Sequence, residues 1–349
     1  MLRRVLLQCL LCLAVAALAG GGWAGITTRV SVATGGAQGN SWSDELSVSA
    51  DGRYVAFASY ATDLVAGDTN GDYDIFVRDR TTGTTTMVSV ATGGDQANGF
   101  SYFPSISADG RYVAFESRAS NLVAGDTNGS GDVFVHDRTT GTTTRVSVAT
   151  GGGQGNDESC PSSISGDGRY VAFLSSASNL VGGDTNGKSD AFVHDRTTRT
   201  TTRVSVATDG GQGNDSSSTS SISGDGRYVA FLSSASDLVG GDTNGESDVF
   251  VHDRTTGTTT RVSVATGGDQ ANDSSWFPSI SADGRYVAFE SSASNLIGGD
   301  TNGESDVFVH DRTTSTTTRA SVATGGTQGN DSSYRPSISA DGRYVAFES

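Results

Sequence analysis

Cysteine is nearly absent. The 349 residues hold three, and two of them, Cys9 and Cys12, fall in an apolar N-terminal run, leaving Cys160 alone in the rest of the chain. An intrachain disulfide framework is thereby excluded, even in an oxidising compartment. Lysine is rarer still, with Lys188 the single one. Positive charge is scarce altogether: 23 Lys and Arg face 39 Asp and Glu, for a net charge of −16. So acidic a chain is a poor partner for nucleic acid or an anionic membrane surface, and suits divalent cations or basic partners. No apolar stretch reaches the ~20 residues that span a bilayer. The chain has no G-x-S-x-G elbow, no H-E-x-x-H and no phosphate loop. After the N-terminal run no useful helical periodicity appears. Hydrophobic content is only 35%, and Thr, Ser and Gly fill the difference. That composition suits many short strands joined by turns.

What is present begins with a processing signal. Arg3 and Arg4 precede the apolar Val5–Ala19, and small residues permit cleavage after Ala19 or Ala24. Residues 1–24 therefore read as a signal peptide of a secreted or periplasmic protein, without membrane insertion once it is removed. Losing its two arginines takes the net charge from −16 to −18. Residues 26–349 read as one domain, and as a monomer.

The main fact is a repeat. "DGRYVAF" recurs at 51, 109, 167, 225, 283 and 341, always 58 residues apart. Five copies of "DTNG…D(V/I/A)FV(H/R)DR" lie between them. A fixed long period means a repeat architecture. Each unit reads as four strands: Pro104–Ser107, Arg111–Ser117, Asp132–Asp137 and Thr142–Val148. In the last, Val146 and Val148 alternate with Arg145 and Ser147, as in a half-exposed outer strand. Four short strands per repeat indicate an all-β propeller, with five full blades and a partial sixth.

The residues also resemble a family. "PSISADGRYVAF" is similar to the WD40-like (PD40) propeller repeat of TolB and related bacterial proteins, P-x-(W/F)-S-P-D-G-(K/R)-x-(I/V)-A-F. Ser107, Asp109, Gly110, Arg111, Val113, Ala114 and Phe115 carry the match, and every copy repeats it. Two positions depart: Ala or Gly stands where the family has Pro before the Asp, and Ile replaces the aromatic. The resemblance implies a propeller fold. It leaves activity open, since such propellers serve as binding scaffolds and as parts of peptidases. "ITTRVSVATGG" near the N-terminus reads as a fourth strand that could close a six-bladed ring. The third-strand copy due after Ser349 is missing, so the sixth unit reads as an incomplete blade or the start of a longer array.

Three groups of residues could carry chemistry. In "DTNGDYD", Asp68, Asn70, Asp72 and Asp74 place oxygens at alternate positions, as Ca²⁺ requires. Asp242, Asn244, Glu246 and Asp248 repeat the set, as do Asp300, Asn302, Glu304 and Asp306, while copy two offers Asp126, Asn128 and Asp132. Lys188 spoils copy three. Asp79 at the twelfth position is not a ligand, because a strand puts it roughly 16 Å from Asp74. The second group, His136, His194, His252 and His310, precedes Asp-Arg pairs. One repeat slot on separate blades cannot converge on a substrate, so strand packing is the better reading. The third group breaks the symmetry: Trp42, Tyr60, Tyr73, Phe100, Tyr102, Trp276 and Tyr334 among others. Trp42, Tyr102, Trp276 and Tyr334 either line a binding face or pack between blades. Cys160 aligns with Phe103, Thr219, Phe277 and Arg335, which favours a tolerated substitution over a reactive thiol. No nucleophile, base and orienter emerge. The expectation is a non-catalytic scaffold for a protein or glycan at the cell envelope. A propeller-based hydrolase or lyase and a Ca²⁺-stiffened surface protein are the alternatives.

Overall fold

The computed structural model describes residues 27–349. The expected signal segment, with Cys9, Cys12 and Trp23, lies outside them. The first strands are β1 (Ser43–Val48), β5 (Ser101–Ile106), β9 (Ser159–Ile164), β13 (Ser217–Ile222), β17 (Ser275–Ile280) and β21 (Tyr334–Ile338). Second strands are β2 (Tyr54–Ser59), β6 (Tyr112–Ser117), β10 (Tyr170–Ser175), β14 (Tyr228–Ser233), β18 (Tyr286–Ser291) and β22 (Val345–Glu348). Third strands are β3 (Asp74–Asp79), β7 (Asp132–Asp137), β11 (Asp190–Asp195), β15 (Asp248–Asp253) and β19 (Asp306–Asp311). The fourth are β4 (Thr84–Met87), β8 (Thr142–Arg145), β12 (Thr200–Arg203), β16 (Thr258–Arg261) and β20 (Thr316–Arg319). They form five four-stranded antiparallel sheets in chain order and a two-stranded sheet, β21–β22. First strands of successive sheets pack against one another, which puts them innermost.

The "RYVAF" strand explains the stacking. Its alternation puts Phe on one face and Ala on the other. Phe115 and Phe134 stack at 6.0 Å and press on Ala56, Ala58, Ile75 and Val77 of the preceding sheet. Large meets small, so the sheets approach closely, and the same packing recurs between later sheets. Each such Phe is fully buried, worth about 1.5–3 kcal/mol apiece.

Two polar series stitch the blades together. The Ala50 N–H donates to the Ala108 carbonyl, Ala108 to Gly166, Gly166 to Gly224, Gly224 to Ala282 and Ala282 to Ala340. These are the positions where the family pattern has Pro, which carries no N–H to give. In the second series, Tyr54 lies between the guanidinium of Arg53 (4.7 Å) and that of Arg138 from the next blade (4.5 Å). Gly110 sits against the same ring, where a Cβ would lie 2.1 Å from it.

Three expectations change. The first strand starts at Ser101 rather than Pro104, because a bulge between Tyr102 and Ser105 hides the alternation. The fourth ends at Arg145: Ser147 turns inward, fully buried, and donates 2.6 Å to Asp132. Finally, the N-terminal segment is no fourth strand of a sixth blade. Val32 only bridges Gln38, and Thr34 accepts from the Thr85 N–H of β4. It therefore does for blade one what each later linker does, as Thr92 accepts from Thr143 in blade two.

Candidate functional site

The DTNG loops are closed from within. In blade one Asn70 Oδ1 accepts the Asp72 N–H, an Asx turn. Asp74 is fully buried and accepts from Ser89, Gln96 and Asn70. Gln96 also donates to Asp68 at 2.8 Å. In later blades an arginine joins them. Arg145 lies 3.4 Å from Asp126 and 3.2 Å from Asp132, and Arg203, Arg261 and Arg319 repeat the bridge. Asn128, Asn244 and Asn302 keep the turn. Glu246 and Glu304 reach away to Ser274 and Ser332. A cation at Asp126, Asp242 or Asp300 would have to displace that guanidinium. Met87 stands at the arginine position in blade one, so Asp68 and Asp74 have no cation there. Burial then pushes Asp74 up to about 6. Among the described residues no three His, Cys, Asp or Glu side chains gather as a metal cluster.

The histidines serve the fold. His136 Nδ1 bonds Thr143 Oγ1 at 2.9 Å, and burial lowers its pKa. His194, His252 and His310 repeat the contact, and Arg78 reaches Thr85 in their place. The neighbouring Asp137 takes a bidentate bond from Arg111, which holds its carboxyl far below the usual range.

Strand register corrects the cysteine alignment by one residue. Cys160 pairs with Leu174 as Tyr102 pairs with Glu116, Ser218 with Leu232 and Trp276 with Glu290. Its slot is therefore that of Tyr102, Ser218, Trp276 and Tyr334. Phe103, Thr219, Phe277 and Arg335 occupy the following bulge position, with φ between 31° and 53°. Burial, with Glu116 and Glu158 adding to it, pushes the Cys160 thiol up to about 12, which disfavours the thiolate.

The aromatics gather in two places. Trp42 shares the slot of Phe100, not that of Tyr102, and stands 67% exposed. Around Tyr102 the rings form a continuous strip. Tyr60, just after β2, meets Tyr73, just before β3, at 5.4 Å. Tyr73 meets Tyr102 of the next blade at 5.0 Å, and Tyr102 meets Phe100 at 6.0 Å and Phe103 at 6.1 Å. All lie where first strands begin and second strands end, on one mouth of the propeller axis. Tyr60, Phe100 and Phe103 are exposed. Blade four fills the slots of Tyr60 and Tyr73 with Ser234 and Ser247, which bond each other at 2.8 Å. On blades five and six the counterpart is closed differently. The Arg335 guanidinium covers Phe277 at 6.0 Å and approaches Glu348 at 3.8 Å, beside the half-buried Trp276 and the exposed Tyr334.

Acids that the sequence reading passed over border the first strip. Glu45 accepts the Phe103 N–H at 2.6 Å, and burial pushes its carboxyl up to about 7. Glu116 is likewise pushed up to about 7 by burial. Asp44 Oδ1 is buried without a hydrogen-bond partner. The signal was available: in the slots of Asp44 and Glu45 the next repeat carries Tyr102 and Phe103.

No protein-family model matches the chain, and no curated protein matches it. Solved structures are similar in fold. A putative TolB from Agrobacterium tumefaciens has 17% identity and a TM-score of 0.50, over 88% of this chain and 91% of that one. An oligogalacturonate lyase in complex with manganese has 13% identity and a TM-score of 0.50, over 86% and 68%. TolB from Acinetobacter baumannii has 17% identity and a TM-score of 0.46 over 79% of this chain, which spans about half (53%) of that protein's length. At these identities the likeness is one of architecture, and by it the chain is a β-propeller of TolB-like fold.

Proposed function

We propose that the protein is an exported, non-catalytic binding propeller that holds a protein or glycan at the cell envelope, with the Tyr60–Tyr73–Tyr102 strip as its binding face. The observation that carries this reading is the break in symmetry. The repeats agree closely in their cores and turns, and depart from one another at one mouth of the axis, where slots held by Ser or Thr in blade four carry rings in blades one and two: the exposed Tyr60, Phe100 and Phe103 and the half-buried Tyr73 and Tyr102. Exposed Tyr and Phe offer large contact area at low entropic cost. Export rests on the N-terminal Arg-apolar-small pattern.

Glycan and peptide arrays probed with the protein and with Tyr102→Ser test the reading. Ser is the residue the fourth repeat carries at that slot, Ser218, so the fold tolerates it. Signals on the array are expected to fall about tenfold with the melting temperature unchanged. A variant that binds as before removes the strip as the face.

A further inference from the structure

We infer that the strip receives a basic peptide segment, one lysine or arginine side chain of which lies over the Tyr73 and Tyr102 rings beside Asp44 and Glu45. This rests on the strip being the binding face and names the class of partner. The first support is charge complementarity. Burial first, then the Tyr73 phenol, Glu45, Asp44 and Asp72, push the Tyr102 phenol up to about 12, so the acids Glu45, Asp44 and Asp72 stand near its ring. Tyr73 is surrounded in the same way, by Asp44, Glu45 and Tyr60. Arg118, which takes the slot of Tyr60 in the next repeat, is committed to Glu158 at 2.6 Å.

Contrast supplies the second support. Elsewhere in the protein rings do take up guanidinium groups: at the opposite end of the blades, where second strands begin, Tyr54, Tyr112, Tyr170 and Tyr228 are each sandwiched by two arginines. Phe277 at the other side of the mouth is covered by Arg335. Among the described residues no guanidinium lies over the Tyr73–Tyr102 pair, although two carboxylates stand beside it. A cation over an aromatic face is attracted by the ring quadrupole, more strongly as water is excluded. The third support is Asp44 Oδ1, a buried acceptor without a hydrogen-bond partner, so the carboxyl gains a bond by turning outward to an incoming N–H donor. Glu45 has one oxygen on the Phe103 N–H, which fixes the carboxyl against the strip and leaves its other oxygen for a donor. A neutral glycan would meet the rings and offer hydroxyl donors to the acids but leave their charge uncompensated, so charge complementarity favours the basic segment. Arginine fits best, because its planar fork can stack on a ring and bond a carboxylate together.

The test is fluorescence anisotropy with a fluorescein-labelled octapeptide of alternating Arg and Ser. A Glu–Ser octapeptide, a Gly–Ser octapeptide and a labelled neutral oligosaccharide are the controls. The full protein is compared with Asp44→Asn/Glu45→Gln, Tyr102→Ser and Asp269→Asn/Asp273→Asn, the last pair lying away from the strip. Saturable binding of the basic peptide is expected, weakened about tenfold by the first two variants and unchanged by the third. Equal weakening by the two acid-removing pairs, with Tyr102→Ser without effect, means diffuse attraction to an acidic surface and overturns the proposal, as does absence of binding. If the oligosaccharide or neutral peptide binds in a Tyr102-dependent way and the basic one does not, the binding face stands and the basic partner is wrong. If no probe responds to Tyr102→Ser, both fall. Melting curves guard against misfolding, and Glu45→Gln alone, which keeps the Phe103 bond, provides a second, milder variant.

Discussion

At the scale of single residues, repetition makes each departure an internal experiment. Met87 is the clearest. Four repeats put an arginine between two buried carboxylates, and the first repeat does not. Burial raises Asp74 above its unfolded value, to about 6. The protonated form is thus favoured in the fold, and the stability this contributes is present below pH 4 and lost as pH rises through about 6. Met87→Arg should reverse the penalty at neutral pH. Thermal melts are expected to show a gain of about 1 kcal/mol at pH 7.5, shrinking toward nothing near pH 4. A gain that is equal at both values would mean packing, not charge, is responsible. The Ala and Gly residues before each Asp-Gly turn teach a similar lesson. Their departure from the family's proline is the condition for the N–H chain that runs from blade to blade.

At the scale of the element, legibility depended on where a strand's partners lie. The third strand, Asp132–Asp137, could be read residue for residue because both faces are covered by neighbours of its own kind. The first strand could not, since Phe103 in a left-handed conformation takes one residue out of the alternation. The fourth was read too long because Ser147 finds its partner, Asp132, fifteen residues away. The turn between first and second strands explains its glycine twice over. Gly226 has φ 73°, and a Cβ there would lie 2.1 Å from Tyr170 of the preceding blade. Gly257 has the same φ with nothing within 4 Å. Both Gly→Ala changes should cost the left-handed penalty of about 1–2 kcal/mol. Denaturant unfolding should show Gly226→Ala costing clearly more, because the Tyr170 ring must leave the Arg254 guanidinium. Equal costs would show that the sandwich adds nothing to blade cohesion.

For the whole molecule, fold and site are written in opposite features of the sequence. The fold is what the repeats share, so a period of 58 residues and a two-faced "RYVAF" strand were enough to reach the propeller. The candidate site is what they do not share. The sequence reading singled out Tyr60, Tyr73, Phe100 and Tyr102 as departures, yet which of them touch is set by how blade two seats on blade one. Tyr73 and Tyr102 are 29 positions apart in sequence and meet only through that packing. Asp44 and Glu45 were hidden further, because polar residues near a strand start look like ordinary turn residues until burial is known. The central claim is that symmetry carries the fold and its violation carries the function. The most direct measurement replaces the strip by the fourth repeat's own residues, as Tyr60→Ser, Tyr73→Ser, Tyr102→Ser and Phe103→Thr together, and records melting temperature and array binding on the same sample. The account predicts a melting temperature within ~4 °C of the parent and loss of binding. A variant that melts far lower, or that melts alike and binds alike, would contradict it.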